Sequence, residues 1–241
     1  MPACGSKVVA YGCGGTYGRL IMGAFAEGCG GKYVDSAYPK YTPGIAVVWG
    51  LLRGSVRIIE EAESRGDPWY YVDHGYIGRG HTFGYYRITL RGYQKTVIED
   101  RPSDRWGKLD MKLLPFKKGR DVLMVPPTPT VQGVMGPYWP PKIETARNVC
   151  ESKKDGRPWY EKHKNIHMVV TYNSIAAIEA IIRGVPVMTT GQSAVEMFSS
   201  PSVEEPVCPE NRQEWANSLA YGQFTIDEMR SGKAWGVLSA A

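Results

Sequence analysis

One stretch of the chain, residues 166–192, constrains the fold more than any other. Residues 166–170 form a short β-branched run, which is typical of a buried parallel strand. Isoleucines at helical spacing follow, and Gly184 ends that helix before a second apolar run, residues 185–188. A strand, a helix and a returning strand form a βαβ unit, so the stretch predicts an α/β fold with a parallel sheet.

Polar residues stand between this first strand and its helix. Thr171, Asn173 and Ser174 lie where the strand ends, and α/β sheets bind ligands at the carboxyl ends of their strands. We expect a phosphate near Asn173 and Ser174, because either residue can cap the helix and a helix N-terminus attracts anions. Glu179 is flanked by alanines, which predicts close approach of a ligand to its carboxylate. The plainer alternative is a solvated helix residue.

The rest of the chain repeats this alternation. Apolar runs predict strands at 7–11, 45–49, 69–72 and 121–125, and helical patterns predict helices at about 19–26, 55–64, 141–152, 211–219 and 225–231. Thr225 and Glu228 stand at the capping-box positions of the last helix. Residues 98–120 are charged and interrupted by Pro and Gly, which indicates a loop and linker.

The motif VVTYNSIAAIEAIIRGVPV, residues 169–187, resembles the donor-binding segment of two-domain, Rossmann-type (GT-B) glycosyltransferases. The resemblance is strongest to bacterial capsule-polysaccharide transferases and related phage proteins, and it covers about thirty residues. It implies transfer of a sugar from a nucleotide diphosphate sugar to an acceptor hydroxyl, with no further cofactor. The His-Pro and Gln-Pro pairs that assign catalysis in capsule transferases are absent here. Sugar-nucleotide epimerases carry similar segments and are an alternative.

The resemblance also implies the domain organisation. We expect two small Rossmann-like domains that face each other across a cleft. Residues 1–118 would hold the acceptor, and residues 119–200 would hold the nucleotide sugar. Residues 201–241 would form C-terminal helices that return to the first domain.

Several residues are candidates for the donor site under this hypothesis. Hydroxyl and amide groups would bind phosphate, Glu179 would bind ribose or sugar hydroxyls, and basic residues would stabilise the leaving diphosphate. The donor-site candidates are Gly14, Gly15, Thr128, Arg157, Lys162, Thr171, Asn173, Ser174 and Glu179.

The glycine-rich turn at residues 12–18 follows the first predicted strand. It is similar to a dinucleotide fingerprint, but Tyr17 stands where the third glycine belongs, and no acidic residue ends a second strand at the expected distance. The turn therefore favours close approach of another ligand over NAD binding.

A second candidate for chemistry follows the strand predicted at 69–72. Asp73 and His74 precede Gly75, and either side chain is suited to take a proton from an acceptor hydroxyl. In the equally weighted alternative, Asp73 only bonds neighbouring amides in a turn. We predict that Asp73 or His74 is the catalytic base.

Arginines and aromatic rings interleave after this turn. Residues 79–120 hold eleven Lys or Arg against four Asp or Glu, a local balance of +7. This pattern suits stacking on bases and pairing with phosphates, although a strand with one buried face explains part of it. The resemblance to phage proteins implies a hydroxymethylated pyrimidine in DNA as the acceptor, which would be bound by Arg79, His81, Tyr85, Tyr86, Arg87, Arg91 and Tyr93. A capsule glycan acceptor and a non-catalytic nucleic-acid-binding protein are the alternatives.

Composition sets the remaining bounds. The 241 residues are 43% hydrophobic, and no apolar run is long enough to span a membrane. The N-terminus lacks a signal-peptide core, which predicts a cytoplasmic protein, in the host cytoplasm if it is phage-encoded. Five cysteines without Cys-x-x-Cys indicate neither a disulfide framework nor a zinc site. No Asp-x-Asp pair occurs. The resemblance implies that metal-dependent sugar transferases hold a divalent ion with such a pair, so we expect a transferase that does not depend on a metal ion.

Overall fold

The computed structural model describes residues 7–78, 84–135, 139–152 and 157–240. It divides into two compact units: Met1–Lys95 with Leu219–Ala241, and Thr96–Ser218. The strands are β1 (Val8–Tyr11), β2 (Lys32–Val34), β3 (Ile45–Trp49), β4 (Trp69–His74), β5 (Tyr86–Leu90), β6 (Asp121–Val125), β7 (Val149–Glu151), β8 (Ile166–Thr171), β9 (Val187–Thr189) and β10 (Gln223–Phe224). The helices are α1 (Thr16–Cys29), α2 (Ser55–Arg65), α3 (Asp104–Gly107), α4 (Pro129–Met135), α5 (Trp159–Lys162), α6 (Ala176–Ile182), α7 (Gln213–Ala220), α8 (Ile226–Arg230) and α9 (Lys233–Ser239).

The two units share one strand order. In the first unit the sheet runs β10-β5-β4-β3-β1-β2. Strands β2, β1, β3 and β4 are parallel, β5 pairs antiparallel with β4, and β10 pairs antiparallel with β5. In the second unit the sheet runs β7-β6-β8-β9 and all its strands are parallel. Each parallel sheet therefore has the order second, first, third, fourth, which is a doubly wound, Rossmann-like arrangement. This confirms the predicted fold class.

Hydrophobic clusters cover both faces of the first sheet. One cluster joins β1, β3 and β4 to α1, α8 and α9, and the other joins the opposite faces of the same strands to α2. Burial on both faces explains why these strands are apolar runs and not alternating patterns. In the second unit, Val122, Met168 and Val170 form a core cluster with Val203.

The strands and helices of the predicted βαβ unit are confirmed, and so is the capping box of Thr225 with Glu228. The helix predicted at 141–152 is wrong, because its end forms the edge strand β7, which pairs with β6. The loop predicted at 98–120 is confirmed apart from α3, but the segment is not a linker. It belongs to the second unit, where α3 contains the buried Trp106 and the backbone N–H of Leu114 bonds to the carbonyl of Ile182 at 2.8 Å.

The division into units lies elsewhere than the predicted boundaries at 118 and 200. The second unit extends to Ser218 because α7 packs within it. The indole Nε1 of Trp215 donates to the carbonyl oxygen of Ala194 at 2.7 Å, and its ring meets that of Phe198 edge to face. The segment that returns to the first unit therefore comprises β10, α8 and α9 but not the part of α7 that holds Trp215.

The contact of α1 with the returning segment depends on Gly28. A Cβ atom at Gly28 would overlap the carbonyl oxygen of Met229 and lie 2.7 Å from the nitrogen of Gly232. At Gly23, in the same helix, a Cβ atom would meet nothing within 4 Å.

We expect Gly28→Ala to lower the free energy of unfolding by about 1–3 kcal/mol, because backbone must move to admit the methyl group. Gly23→Ala is the matched control and should raise it by about 0.5–1 kcal/mol through helix propensity. Urea denaturation of both variants measures the difference. Equal stabilities of the two variants would contradict this account of the packing.

Candidate functional site

The carboxyl edge of the second sheet brings two predicted donor-site segments together. β6 and β8 are parallel neighbours, with Val125 opposite Thr171 in register. The buried hydroxyl of Thr171 donates to the carbonyl oxygen of Val125 at 2.8 Å and ties the two strand ends together. Loops 126–128 and 172–174 therefore leave the sheet side by side at the point where strand order reverses, which is where such sheets bind ligands.

Hydroxyl groups line the first turns that follow these strands. The backbone N–H of Val131 donates to the Thr128 hydroxyl at 3.3 Å, and that of Ala176 donates to the Ser174 hydroxyl at the same distance. A hydroxyl that accepts an amide proton keeps its own hydrogen as a donor. Thr128 and Ser174 thus present O–H donors at one edge of the sheet, as an anion would require.

A third loop reaches the same edge after β9. The N–H groups of Thr190 and Gly191 donate to the carbonyl oxygens of Thr171 and Tyr172 at 3.2 and 2.9 Å. The Tyr172 ring lies over Gly191 so closely that a Cβ atom there would be 2.5 Å from it. Neither Gly191 nor Tyr172 was among the site residues predicted from the sequence. The signal available was a glycine two residues after the end of β9, at the ligand-binding edge.

Glu179 lies in the first turn of α6 and is half-buried. The alanines around it, Ala176, Ala177 and Ala180, are buried in the core. These small side chains let α6 pack closely on the core and do not form a surface for a ligand. The argument from sequence that the alanines allow a ligand to approach Glu179 is therefore wrong. Its position five residues after Ser174 still places it beside the carboxyl edge.

Lys162 does not belong to this edge. It ends α5, which leads directly into the amino end of β8. The six residues of β8 span on the order of 17 Å, and they separate Lys162 from the loop that holds Ser174. Lys162 therefore does not lie where its predicted contact with the donor diphosphate requires it. Arg157 is exposed and precedes α5, and its assignment stays a prediction.

The glycine turn of the first unit lies at the equivalent edge. Gly14 has a positive φ of 68°, and α1 begins at Thr16, earlier than predicted. A Cβ atom at Gly18 would overlap the carbonyl oxygen of Gly12, so Gly18 provides the close helix-to-strand packing expected of a third glycine. The exposed guanidinium of Arg53 lies 2.8 Å from where a Cβ of Gly15 would stand. Sequence reasoning did not identify Arg53.

Asp73 and Arg87 form a largely buried ion pair at the end of β4. The Arg87 guanidinium donates to the Asp73 carboxylate at 2.7 Å, to the carbonyl oxygen of His74 at 2.8 Å and to that of Tyr93 at 3.1 Å. The Tyr71 hydroxyl and the N–H of His74 donate to the same carboxylate at 2.8 and 2.7 Å. The Asp73 carboxylate therefore orders this turn, as in the structural alternative.

The pKa values around this ion pair follow from burial and charge. Burial, followed by the charge of Asp73, raises the pKa of the Tyr71 phenol well above its usual value, so Tyr71 stays a hydrogen-bond donor. Burial is the largest single influence on the Arg87 guanidinium and lowers its pKa, but Asp73, Tyr71 and Tyr76 together outweigh burial, so the net pKa is raised. The Arg87 guanidinium therefore keeps its charge at neutral pH.

Two residues assigned to the acceptor are buried. Arg87 is 7% exposed and Tyr86 is fully buried, so neither presents a surface to DNA phosphates or bases, and their predicted roles are corrected. Tyr85 and Tyr93 are half-buried, and Arg91 is exposed and donates to the carbonyl oxygen of Gly66 at 2.9 Å. Arg79 and His81 lie outside the described residues.

The basic segment is divided in the same way. Residues 79–95 belong to the first unit and residues 96–120 to the second. Arg105 is also buried, and Arg101 pairs with Glu99 at 2.8 Å. The +7 balance along the sequence therefore includes basic side chains that are buried or paired with carboxylates.

His74 is half-buried beside the rings of Trp49 and Tyr86, with centroid distances of 5.6 and 6.2 Å. β3 ends at Trp49 and β4 ends at His74, so both lie at the carboxyl edge of the first sheet. Of the two predicted bases, Asp73 is engaged in the ion pair with Arg87. The His74 ring is not part of that ion pair.

Neither metal clusters nor spanning helices occur in the part of the chain that the structure describes. No group of three or more His, Cys, Asp or Glu side chains is arranged there to hold a metal ion. No helix of the described residues is both long and apolar enough to cross a membrane.

Comparison with known proteins gives matches among solved structures only. No protein-family model and no curated protein matches the chain. One similar structure is Thermosulfurimonas dismutans KpsC, beta Kdo 2,4 transferase, with 11% identity, a TM-score of 0.46, and coverage of 88% of this chain and 90% of the other. A second is Thermosulfurimonas dismutans KpsC, beta Kdo 2,7 transferase, with 11% identity, a TM-score of 0.49, and coverage of 95% and 98%.

The two roles considered for Asp73 predict different effects of Asp73→Asn. The substitution leaves the buried guanidinium of Arg87 without its counter-charge, so we expect the free energy of unfolding to fall by about 1.5–3 kcal/mol. Asp227→Asn is the control: its side chain is 95% exposed in its pair with Arg230, and we expect a loss below about 1 kcal/mol. Thermal and urea denaturation measure both. A variant as stable as the wild type would exclude the structural role of Asp73.

Proposed function

We propose that the protein is a glycosyltransferase that moves a sugar from a nucleotide diphosphate sugar to an acceptor hydroxyl. The observation that carries this proposal is the adjacency of loops 126–128 and 172–174 at the reversal of strand order in the second sheet. The motif at residues 169–187, which resembles a donor-binding segment, forms one side of this edge. The observed topology supplies the other side from a segment about forty residues earlier in the chain.

The donor would bind to neutral hydrogen-bond donors at this edge. Thr128, Ser174 and Asn173 suit the diphosphate, because hydroxyl and amide N–H groups bind its oxygens. The Glu179 carboxylate suits ribose or sugar hydroxyls, since a carboxylate accepts strong, charge-assisted hydrogen bonds. Arg157 remains the candidate for stabilising the charge of the leaving diphosphate.

We propose that transfer proceeds without a metal ion, because the sequence lacks an Asp-x-Asp pair. Charge stabilisation would then come from hydroxyl donors, amides and guanidinium groups. In the first unit, His74 is the proposed base that takes the proton of the acceptor hydroxyl. Its place at a strand's carboxyl end supports this assignment.

For the acceptor we propose a carbohydrate hydroxyl. A hydroxymethylated base in DNA was predicted from rings and arginines of which Tyr86 and Arg87 are buried. The described residues thus expose fewer rings and arginines to DNA than the sequence indicated. Binding of a carbohydrate acceptor does not require such a surface of rings and arginines.

Calorimetric titration with UDP, GDP, ADP and CDP tests the donor site first. We expect one nucleotide to bind with a 1:1 stoichiometry, and failure of all four at millimolar concentration would contradict the proposal. Transfer of labelled sugar from the matching donor then compares oligosaccharide acceptors with DNA that contains hydroxymethyl-pyrimidine. Transfer to DNA alone would reverse the acceptor assignment and leave the donor site intact.

Glu179→Gln tests the donor contact most specifically. Loss of a charge-assisted hydrogen bond should weaken nucleotide-sugar binding by about 1–3 kcal/mol and leave the melting temperature nearly unchanged. Glu214→Gln, at an exposed position on α7, is the control and should bind as the wild type does. Normal binding by Glu179→Gln together with a lowered melting temperature would make Glu179 structural.

A further inference from the structure

A cavity of about 220 Å³ lies at the amino edge of the second sheet, at the starts of β8 and β9. Ile166 and Val185 mark these strand starts in its wall. The polar and aromatic part of the wall consists of Lys117, Trp159, Tyr160, His163, Lys164 and Arg183. Among the described residues that line it there is no Asp or Glu, so its electrostatic character is positive.

The wall contains a buried hydrogen-bond donor without a partner. Trp159 is 6% exposed, and its indole Nε1–H meets no acceptor. An indole nitrogen is a donor only, and buried donors are almost always satisfied in proteins. The partner that it lacks is an acceptor, and an anion is the acceptor that the surrounding charges favour. The nitrogen itself has almost no accessible surface, so an acceptor in the cavity reaches it after a small shift of the ring or its neighbours.

The basic groups are held by contacts within the wall. The Arg183 guanidinium stacks on Tyr160, with its central carbon 3.3 Å from the ring centroid. The ammonium group of Lys164 donates to the carbonyl oxygen of Tyr160 at 3.1 Å. Lys117 is fixed through its backbone, whose N–H donates to the carbonyl oxygen of Gly184 at 3.0 Å.

We propose that this cavity binds a small organic anion that carries a phosphate or carboxylate group. Trp159 Nε1–H would donate to the anion, and Lys117, Lys164 and Arg183 would balance its charge. The volume is below the roughly 300–1,000 Å³ of sites for drug-sized ligands, so it suits a sugar phosphate or sugar acid and not a whole nucleotide. The site lies at the opposite edge of the sheet from Ser174 and is independent of the proposed donor site.

The indole Nε1–H resonance of Trp159 tests the proposal directly. Trp159→Phe identifies this resonance in the ¹⁵N–¹H spectrum by its disappearance. Titration of the wild type with inorganic phosphate, glucose 6-phosphate, acetate and glucuronate should shift it, and neutral glucose should not. Response to the phosphates alone or to the carboxylates alone identifies the group that the site recognises.

Two charge-matched double variants provide the control. Lys117→Gln with Lys164→Gln should weaken binding of the responding anion at least tenfold in calorimetry. Lys108→Gln with Lys112→Gln, at exposed positions that do not line the cavity, removes the same charge and should leave binding within twofold. Equal weakening by both pairs would show a general charge effect and overturn the proposal. So would the absence of any shift of the Trp159 resonance up to about 10 mM of every probe.

Discussion

The parallel pairing of β6 with β8 is the constraint on which the rest of the second unit depends. Parallel strands cannot be joined by a tight turn, so the chain between Val125 and Ile166 must cross back to the amino edge. Because of that crossing, the loops that follow β6 and β8 lie at the same edge of the sheet. The hydrogen bond from the Thr171 hydroxyl to the Val125 carbonyl oxygen holds the two strand ends together. The proposed donor site and the basic cavity lie at opposite edges for this single reason.

The sequence was sufficient where local signals and burial agree. Strands such as β3 and β8 are buried on both faces, so they appear as apolar runs whatever their neighbours. The edge strand β7 is different, because it has three residues and its pairing with β6 is decided by tertiary structure. Nothing local in residues 141–152 shows that pairing, and a proline near the start of the segment favoured a helix instead.

The residues of the candidate site also differ in whether the sequence was sufficient to predict them. Residues at strand ends, such as Thr128 and Ser174, could be predicted because the doubly wound topology fixes where they lie. Charged residues could not, because charge along a sequence does not distinguish a buried ion pair from a basic surface. Arg87 looked like a phosphate ligand and is the partner of Asp73, whereas Lys162 has the right charge at the wrong edge.

Hydrogen–deuterium exchange with and without UDP, GDP, ADP and CDP tests the central claim most directly. It reports where on the second unit a nucleotide binds, independently of catalysis and of any substitution. The account predicts that one nucleotide slows exchange in peptides covering residues 126–132 and 171–177. Residues 126, 127 and 129 are prolines without a backbone N–H, so the signal of the first peptide comes from Thr128 and the first turn of α4, and that of the second from the loop 172–174 and the start of α6. Slowed exchange confined to peptides around residues 159–166, at the amino edge, or no slowing with any of the four nucleotides, would contradict it.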